Sequence, residues 1–395
     1  MVFRLSMCFK EVDMRKAVQY LAMILVVVVL FAGIFSIGRR LIRGDSSSKQ
    51  SAESNSGSEE SETEAKKDRD NSVPMTSLTV TAPQGYLRVG KTMQLDIKTE
   101  PAEATNTELE WSCSMDGAVE VTEDGVLTPQ DGFAKNTVTV TATATDGSGL
   151  TQSFELRIYP AIDPTKDMVA ITFDDGPNDT STMEILDAFE ENYAVATFFC
   201  LGDHVELYPE VCKREYELGM EVASHSYSHD NTLTSLSDEK LDEIVSKGVS
   251  TIKDAIGVAP RLLRPPYGNN DARVRAVLKS YGLCCMYWSL DTEDWKTANA
   301  DDTYKQVMTA TDGDVVLLHD IHEYNVDAVR RFIPDLEAAG FQLVTVPELY
   351  EARGETLEAG SFHMRTDPTT ESTGETTAAS TADGATAEST TQAAQ

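Results

Sequence analysis

Basic residues are scarce in this chain: 33 Lys and Arg stand against 65 Asp and Glu, a formal net charge of −32 over 395 residues. With no basic stripe to displace counterions from phosphates, a nucleic-acid partner is excluded. Much of the acid lies in low-complexity segments, so it speaks to solvation more than to a site. Cysteine is sparse as well. The six are scattered, with no CxxC and no zinc-finger spacing, so no zinc finger is expected. Cys8 precedes the single long apolar run, and Cys113, Cys200, Cys212, Cys284 and Cys285 follow it. They read mainly as small core hydrophobes, with Cys200–Cys212 the one pairing to weigh as a disulfide.

Long apolar runs are otherwise missing. The exception, Ala17 to Gly38, carries no charge, and at about 1.5 Å per helical residue it spans the roughly 30 Å hydrocarbon core of a bilayer. It is too long for a signal-peptide core and has no small-x-small exit, so an uncleaved anchor is expected. Arg4, Lys10, Arg15 and Lys16 on one side nearly balance Arg39, Arg40, Arg43 and Lys49 on the other, so the positive-inside rule alone does not orient it. The expected organisation is an N-terminal cytoplasmic segment (1–16), a transmembrane anchor (17–38), a disordered Ser/Glu-rich linker (39–74), two folded domains (75–160 and 161–355) and a disordered Thr/Ser/Ala-rich tail (356–395).

The folded domains differ in period. In 75–160, Leu78-Thr79-Val80, Leu95-Asp96-Ile97 and Thr137–Ala144 alternate, separated by turns at Gln84-Gly85, Asp116-Gly117, Asp124-Gly125 and Asp146-Gly147. This predicts an all-β sandwich. Gly90-Lys91-Thr92, Glu110–Ser114 with Trp111 as core anchor, and the Thr-Ala-Thr-Ala strand resemble a bacterial immunoglobulin-like group 2 domain, expected to serve as a spacer. In 161–355, strand-like runs (Met168–Phe173, Ala196–Leu201, Met220–Ala223, Leu283–Trp288, Val315–Leu318, Gln342–Val346) alternate with helical ones (Thr180–Asn192, Tyr208–Leu218, Asp238–Ile256, Ala272–Tyr281, Thr303–Thr311, Val326–Ala339). Repeated βα units predict an α/β domain with a parallel sheet, a distorted, reduced (β/α) barrel given its length.

The strand ends carry the polar residues. Val169-Ala170-Ile171 leads into Thr172-Phe173-Asp174-Asp175-Gly176-Pro177, where Pro stops the ladder and leaves two carboxylates at a strand's carboxyl end. By itself this is also ordinary turn chemistry. Adjacent acids need a compensating positive charge, and a metal on one of them leaves the other free as a base. His225-Ser226-Tyr227-Ser228-His229 follows another strand and offers two imidazoles; Asp plus two His is a facial metal set with open positions. Arg264-Pro265-Pro266-Tyr267-Gly268, Asp294-Trp295 and Leu317-Leu318-His319-Asp320 occupy three further strand ends. Five such clusters in order are not incidental.

These five stretches resemble the motifs of the polysaccharide deacetylases of the NodB-homology type, carbohydrate esterase family 4. The resemblance implies that Asp175, His225 and His229 hold a divalent metal, zinc with cobalt, nickel or manganese as substitutes. It implies Asp174 as the base, His319 as the general acid, Arg264 orienting Asp174, and Asp294 bracing Arg264. Tyr267 would offer its N–H to the oxyanion, and Trp295 and Leu317 would wall the acetyl slot. His204, His322 and His363 are left as packing or surface residues. Gly219-Met220 departs from the Gly-His common in the family, with packing consequences only. The implied activity is N-deacetylation of a cell-envelope glycan by a membrane-anchored, extracellular domain. Peptidoglycan N-acetylglucosamine is the leading substrate. Poly-N-acetylglucosamine, chitin oligomers, acetyl xylan and a non-catalytic glycan-binding adhesin are the alternatives.

Overall fold

Alternation of β-branched and small residues with polar ones builds the first domain. The strand Asn136–Ala144 buries Val138, Val140, Ala142 and Ala144 and turns its threonines outward, the period-two pattern of a half-buried sheet. It pairs antiparallel with Leu109–Cys113 and with Thr151–Tyr159, whose far edge takes Tyr86–Arg88 in parallel. A three-stranded sheet (Met93–Gln94, Val126–Pro129, Val119–Val121) and the pair Ser77–Thr81 with Asp96–Glu100 close over Leu78, Leu87, Leu127, Val140 and Leu156. Trp111 packs half-buried against this core. The computed structural model describes residues 72–229 and 232–367. The segment 1–16, the anchor expected at 17–38, most of the linker and the tail beyond 367 lie outside the described residues. Among the described residues no helix is long and apolar enough to cross a membrane.

The second domain is organised on Met168–Asp174, buried at all seven positions, as expected for a parallel strand covered on both faces. The spatial order is Leu290–Asp291, Val315–His319, Met168–Asp174, Thr197–Cys200, Glu221–Ser224, Leu262–Leu263, Cys284–Met286, Phe362–His363, and Gln342–Leu343 pairs with the start of Met168–Asp174. Every pairing in this sheet is parallel. Helices Ser181–Asn192, Pro209–Glu217, Asp238–Ile256, Ala272–Ser280, Ala300–Val307 and Glu323–Ala338 connect its strands. In register, Asp174 lies beside His319, Cys200 beside Ser224, and Ser224 beside Leu263. The carboxyl ends therefore line up, and with them the polar clusters.

Two boundaries differ from the expected ones. The apolar run Gln342–Val346 is a strand only to Leu343, because Thr345 caps a helix, Val346–Ala352, with Glu348 returning the bond in a capping box. Residues 356–367, expected to open the disordered tail, return to the sheet: Phe362–His363 pairs with Cys284–Met286, and Tyr350 Oη donates to Arg365 O at 3.0 Å. Thr366 is buried there.

The two domains are joined by more than the connecting strand. Arg88, buried, pairs with Glu348 (Nε–Oε1 2.5 Å, Nη2–Oε2 3.0 Å). Tyr159 Oη donates to Leu218 O at 2.8 Å, Lys135 pairs with Glu337 at 2.7 Å, and Arg157 pairs with Glu190. Arg88→Met strands Glu348 without its partner. Because Glu348 keeps some solvent access, a loss of about 2–3 kcal/mol is expected, below the 3–5 of fully buried pairs, read as a lower urea midpoint of the whole chain.

Candidate active site

Backbone strain and close packing present the two adjacent carboxylates. Asp174 ends the central strand in the sheet plane, and Asp175 follows at φ 76°, a region that non-glycine residues enter at a cost. Gly176 comes so close to the Asp320 carboxylate that a side chain there would run into it. Asp320 is itself a strut: fully buried, its Oδ2 accepts from Thr182 Oγ1 at 2.6 Å and its carbonyl from Ser181 Oγ at 2.5 Å. Burial pushes the Asp320 carboxyl up to about 7.

Asp174 faces Arg264. The guanidinium, 0% exposed, donates from Nη1 to Asp174 Oδ1 at 2.6 Å and to Thr172 Oγ1 at 2.8 Å, and from Nη2 to Tyr287 O at 2.9 Å. It also lies 4.0 Å from the centre of the Phe199 ring, a cation–π contact. Asp294, expected to brace Arg264, instead holds His319. Its Oδ1 accepts from His319 Nδ1 at 2.8 Å and its Oδ2 from the His319 backbone N–H at 2.8 Å. The reason is topological: Asp294 opens a short helix just after Leu290–Asp291, the strand paired with Val315–His319. Arg264 sits on the other side of the central strand.

Asp175, His225 and His229 converge. One donor atom from each lies within 4.8 Å of the others; Asp175 Oδ1 is 3.5 Å from His225 Nε2 and 3.7 Å from His229 Nε2. His225 Nδ1 lies 2.8 Å from Arg264 O. A carbonyl only accepts, so the ring proton is on Nδ1 and the Nε2 lone pair faces Asp175. Burial lowers the His225 pKa, keeping the ring neutral. Asp175 Oδ1 is buried with no hydrogen-bond partner. Two imidazoles beside an unsatisfied carboxylate oxygen fit a divalent cation. With His229 and Asp175 partly exposed, the centre is open on one side.

Burial opposes charge on His319, but the hydrogen bond and charge of Asp294, with Asp174 and Asp175 beyond, outweigh it and raise its pKa to about 9. Reciprocally, Asp294, although buried, is lowered by His319 and Asn325. Tyr267 (φ 59°) and Trp295 are 60% and 58% exposed at the rim, whereas Leu317 is buried two residues before His319, on the same face of its strand. Tyr267 Oη donates to His229 O at 3.1 Å and its ring meets His229 edge-on. His322, set aside as a packing residue, lies beside His319 and stacks on Tyr324.

Sequence reasoning missed Asn325. Fully buried, its Nδ2 donates to Asp294 Oδ2 at 2.5 Å and to His319 O at 2.8 Å, while Thr303 Oγ1 donates to its Oδ1 at 3.2 Å. The only signal was a polar residue on the inward face of an otherwise apolar helix start.

A family model described as polysaccharide deacetylase matches residues 161–286, and one described as bacterial Ig-like domain (group 2) matches residues 74–153. Peptidoglycan-N-acetylglucosamine deacetylase PgdA of Listeria monocytogenes serotype 1/2a is 39% identical over 201 residues, 51% of this chain and 42% of that protein. Peptidoglycan-N-acetylmuramic acid deacetylase PdaC of Bacillus subtilis is 39% identical over 193 residues, 49% of this chain and 40% of that protein. A peptidoglycan-N-acetylglucosamine deacetylase of Bacillus cereus is 34% identical over 192 residues, 47% of this chain and 70% of that protein. The chain thus spans less than half the length of the first two relatives.

His225→Ala and His229→Ala each remove one donor from the cluster. Divalent-metal affinity, measured by equilibrium dialysis, should fall by more than about 100-fold in each, beyond the 10–100-fold typical of losing an outer partner. His322→Ala should leave it unchanged.

Proposed function

The chain belongs to the polysaccharide deacetylase family, with a bacterial Ig-like domain ahead of the catalytic one, and from that premise we propose that it hydrolyses N-acetyl groups on peptidoglycan. The observation that carries the reading is the convergence of three metal-ligating side chains, Asp175, His225 and His229, between an Asp174–Arg264 pair and an Asp294–His319 pair. A binding module has no use for a separate base and acid flanking a metal site.

Asp175, His225 and His229 would hold the cation, zinc by preference. A divalent ion there supplies Lewis acidity, polarising an acyl oxygen and lowering the pKa of a water from about 15.7 to about 7. Asp174 Oδ2 accepts the proton of the attacking water, its other oxygen being held by Arg264. The developing oxyanion is met by the Tyr267 backbone N–H. His319 delivers its proton to the departing nitrogen, and the Asp294 carboxylate offsets the imidazolium charge before that transfer. Trp295 and Leu317 flank the acetyl methyl. Water and the acetamide yield acetate and a free amine on the sugar.

The names of the relatives support a wall substrate, and they divide between N-acetylglucosamine and N-acetylmuramic acid. N-acetylglucosamine is the sugar proposed here. The apolar segment 17–38 would anchor the protein in the cell membrane with this domain outside, next to the wall.

Acetate release from muropeptides by the purified chain tests the reading, with chitin oligomers in parallel. Metal-restored release with free glucosamine in the product supports it. Free muramic acid would reassign the sugar, release from chitin alone would discard the wall, and glycan binding without release would favour the adhesin. Asp174→Asn should abolish turnover, and His319→Ala should lower kcat by about 10²–10⁴. Because the acid must be protonated, kcat should fall at alkaline pH, with a limb no higher than about 9. Asp294→Asn removes the main raising partner, so that limb should move to lower pH. A limb that stays put would overturn the role of Asp294.

A further inference from the structure

Beside the strand end that leads into His225 lies a second donor cluster, which the deacetylation chemistry leaves unused. Cys200 closes the strand Thr197–Cys200, and Cys212 and Glu215 stand three apart on the helix Pro209–Glu217, the spacing that puts two side chains on one helix face. All three residues are 0% exposed. Both sulfurs and a carboxylate oxygen of Glu215 lie within 4.8 Å of one another. Cys200 Sγ donates to Glu215 Oε2 at 3.2 Å, whereas Oε1 is buried with no partner. The titratable groups that bear on Glu215 are Cys212, Asp320 and Cys200, all of them acidic. Among the described residues no cation is one of the groups that bear on Glu215.

We propose that Cys200, Cys212 and Glu215 form a second, structural divalent-metal site of zinc type, distinct from Asp175, His225 and His229. Two thiolates select a borderline-soft ion over magnesium or calcium. With the Glu215 carboxylate they supply three protein ligands, all of types that zinc takes. Tetrahedral zinc with bonds near 2.3 Å to sulfur and 2.0–2.2 Å to oxygen needs sulfur–sulfur and sulfur–oxygen separations of about 3.5–3.8 Å, which the observed clustering accommodates. Uptake displaces the two thiol protons and any proton on the carboxyl, so occupancy rises with pH.

The location gives such an ion a purpose. Cys200 O accepts the backbone N–H of His225 at 2.8 Å, and the next residue, Leu201, donates to Gly176 O at 2.9 Å. An ion clamping this strand end to the helix fixes the backbone beneath both His225 and the Asp175-Gly176 turn. The inference stands whatever the sugar substrate is, because its signature is sulfur.

The active centre contains no sulfur donor, so thiolate-to-cobalt charge transfer in the near ultraviolet reports cysteines alone. The full chain, reduced and stripped of metal, is titrated with Co(II). The expected result is a sulfur charge-transfer band that saturates at one ion within a total of two per chain. The band should persist in the His225→Ala/His229→Ala double variant and disappear in Cys212→Val. Should Cys212→Val fail to fold, zinc protection of Cys200 and Cys212 from alkylation, mapped on peptides of the unmodified sequence, assigns the site. Cobalt binding without a sulfur band would overturn the proposal. A Cys200–Cys212 disulfide in the native protein, seen as two missing hydrogens by intact mass, would do so as well.

Discussion

A single buried guanidinium ties the catalytic end of the sheet together. Arg264 has no exposure, and an isolated charge there is costly in a low-dielectric interior. It is tolerated because its donors are committed: to the Asp174 carboxylate, the Thr172 hydroxyl, and the carbonyls of Met286 and Tyr287, with the Phe199 ring against one face. These partners come from three strands of the sheet and the loop after one of them, so the position of Arg264 is over-determined. Its backbone matters too. The Arg264 carbonyl fixes the tautomer of His225, so one residue holds Asp174 with its side chain and His225 with its main chain.

The second dyad works by reciprocal perturbation. Asp294 raises His319, and His319 lowers Asp294, which is what one short, buried, charge-assisted hydrogen bond does to both partners. The linkage signs follow. The His319 contribution to stability is complete below its ordinary 6.5 and is lost as pH rises through about 9; the Asp294 contribution is present above its ordinary 3.8 and lost on acidification. Part of the rise at His319 comes from Asp174 and Asp175, and a cation between them would cancel that part.

What was legible in the sequence was local. Buried parallel strands are continuous apolar runs, and their carboxyl ends show as abrupt changes to polar residues, which puts Asp174, Asp175, His225, His229, Arg264 and His319 at one end of the sheet. Partnerships across the sheet were not legible, because strand order is a long-range property. Without knowing that Leu290–Asp291 neighbours Val315–His319, nothing assigns Asp294 to His319 rather than to Arg264. Asn325 was hidden for the same reason, since a polar residue at a helix start looks solvated until its neighbours are known. Two-residue strands such as Leu262–Leu263 and Phe362–His363 carry too few positions for any period to appear.

The attachment of the Ig-like domain follows, for the most part, a topological rule. Besides Glu348, its partners in the second domain include Leu218 just before the strand Glu221–Ser224, Glu190 and Tyr193 before Thr197–Cys200, and Glu337 before Gln342–Leu343. Each lies where a helix returns to the amino end of a strand. In a parallel sheet those returns gather at the end opposite the carboxyl ends, where the Asp175–His225–His229 cluster opens. The Ig-like domain is therefore held toward the end of the sheet opposite Asp175, His225 and His229. The buried Arg88–Glu348 pair and the Tyr159–Leu218 hydrogen bond make that attachment firm, because both would have to be unmade for the domains to separate.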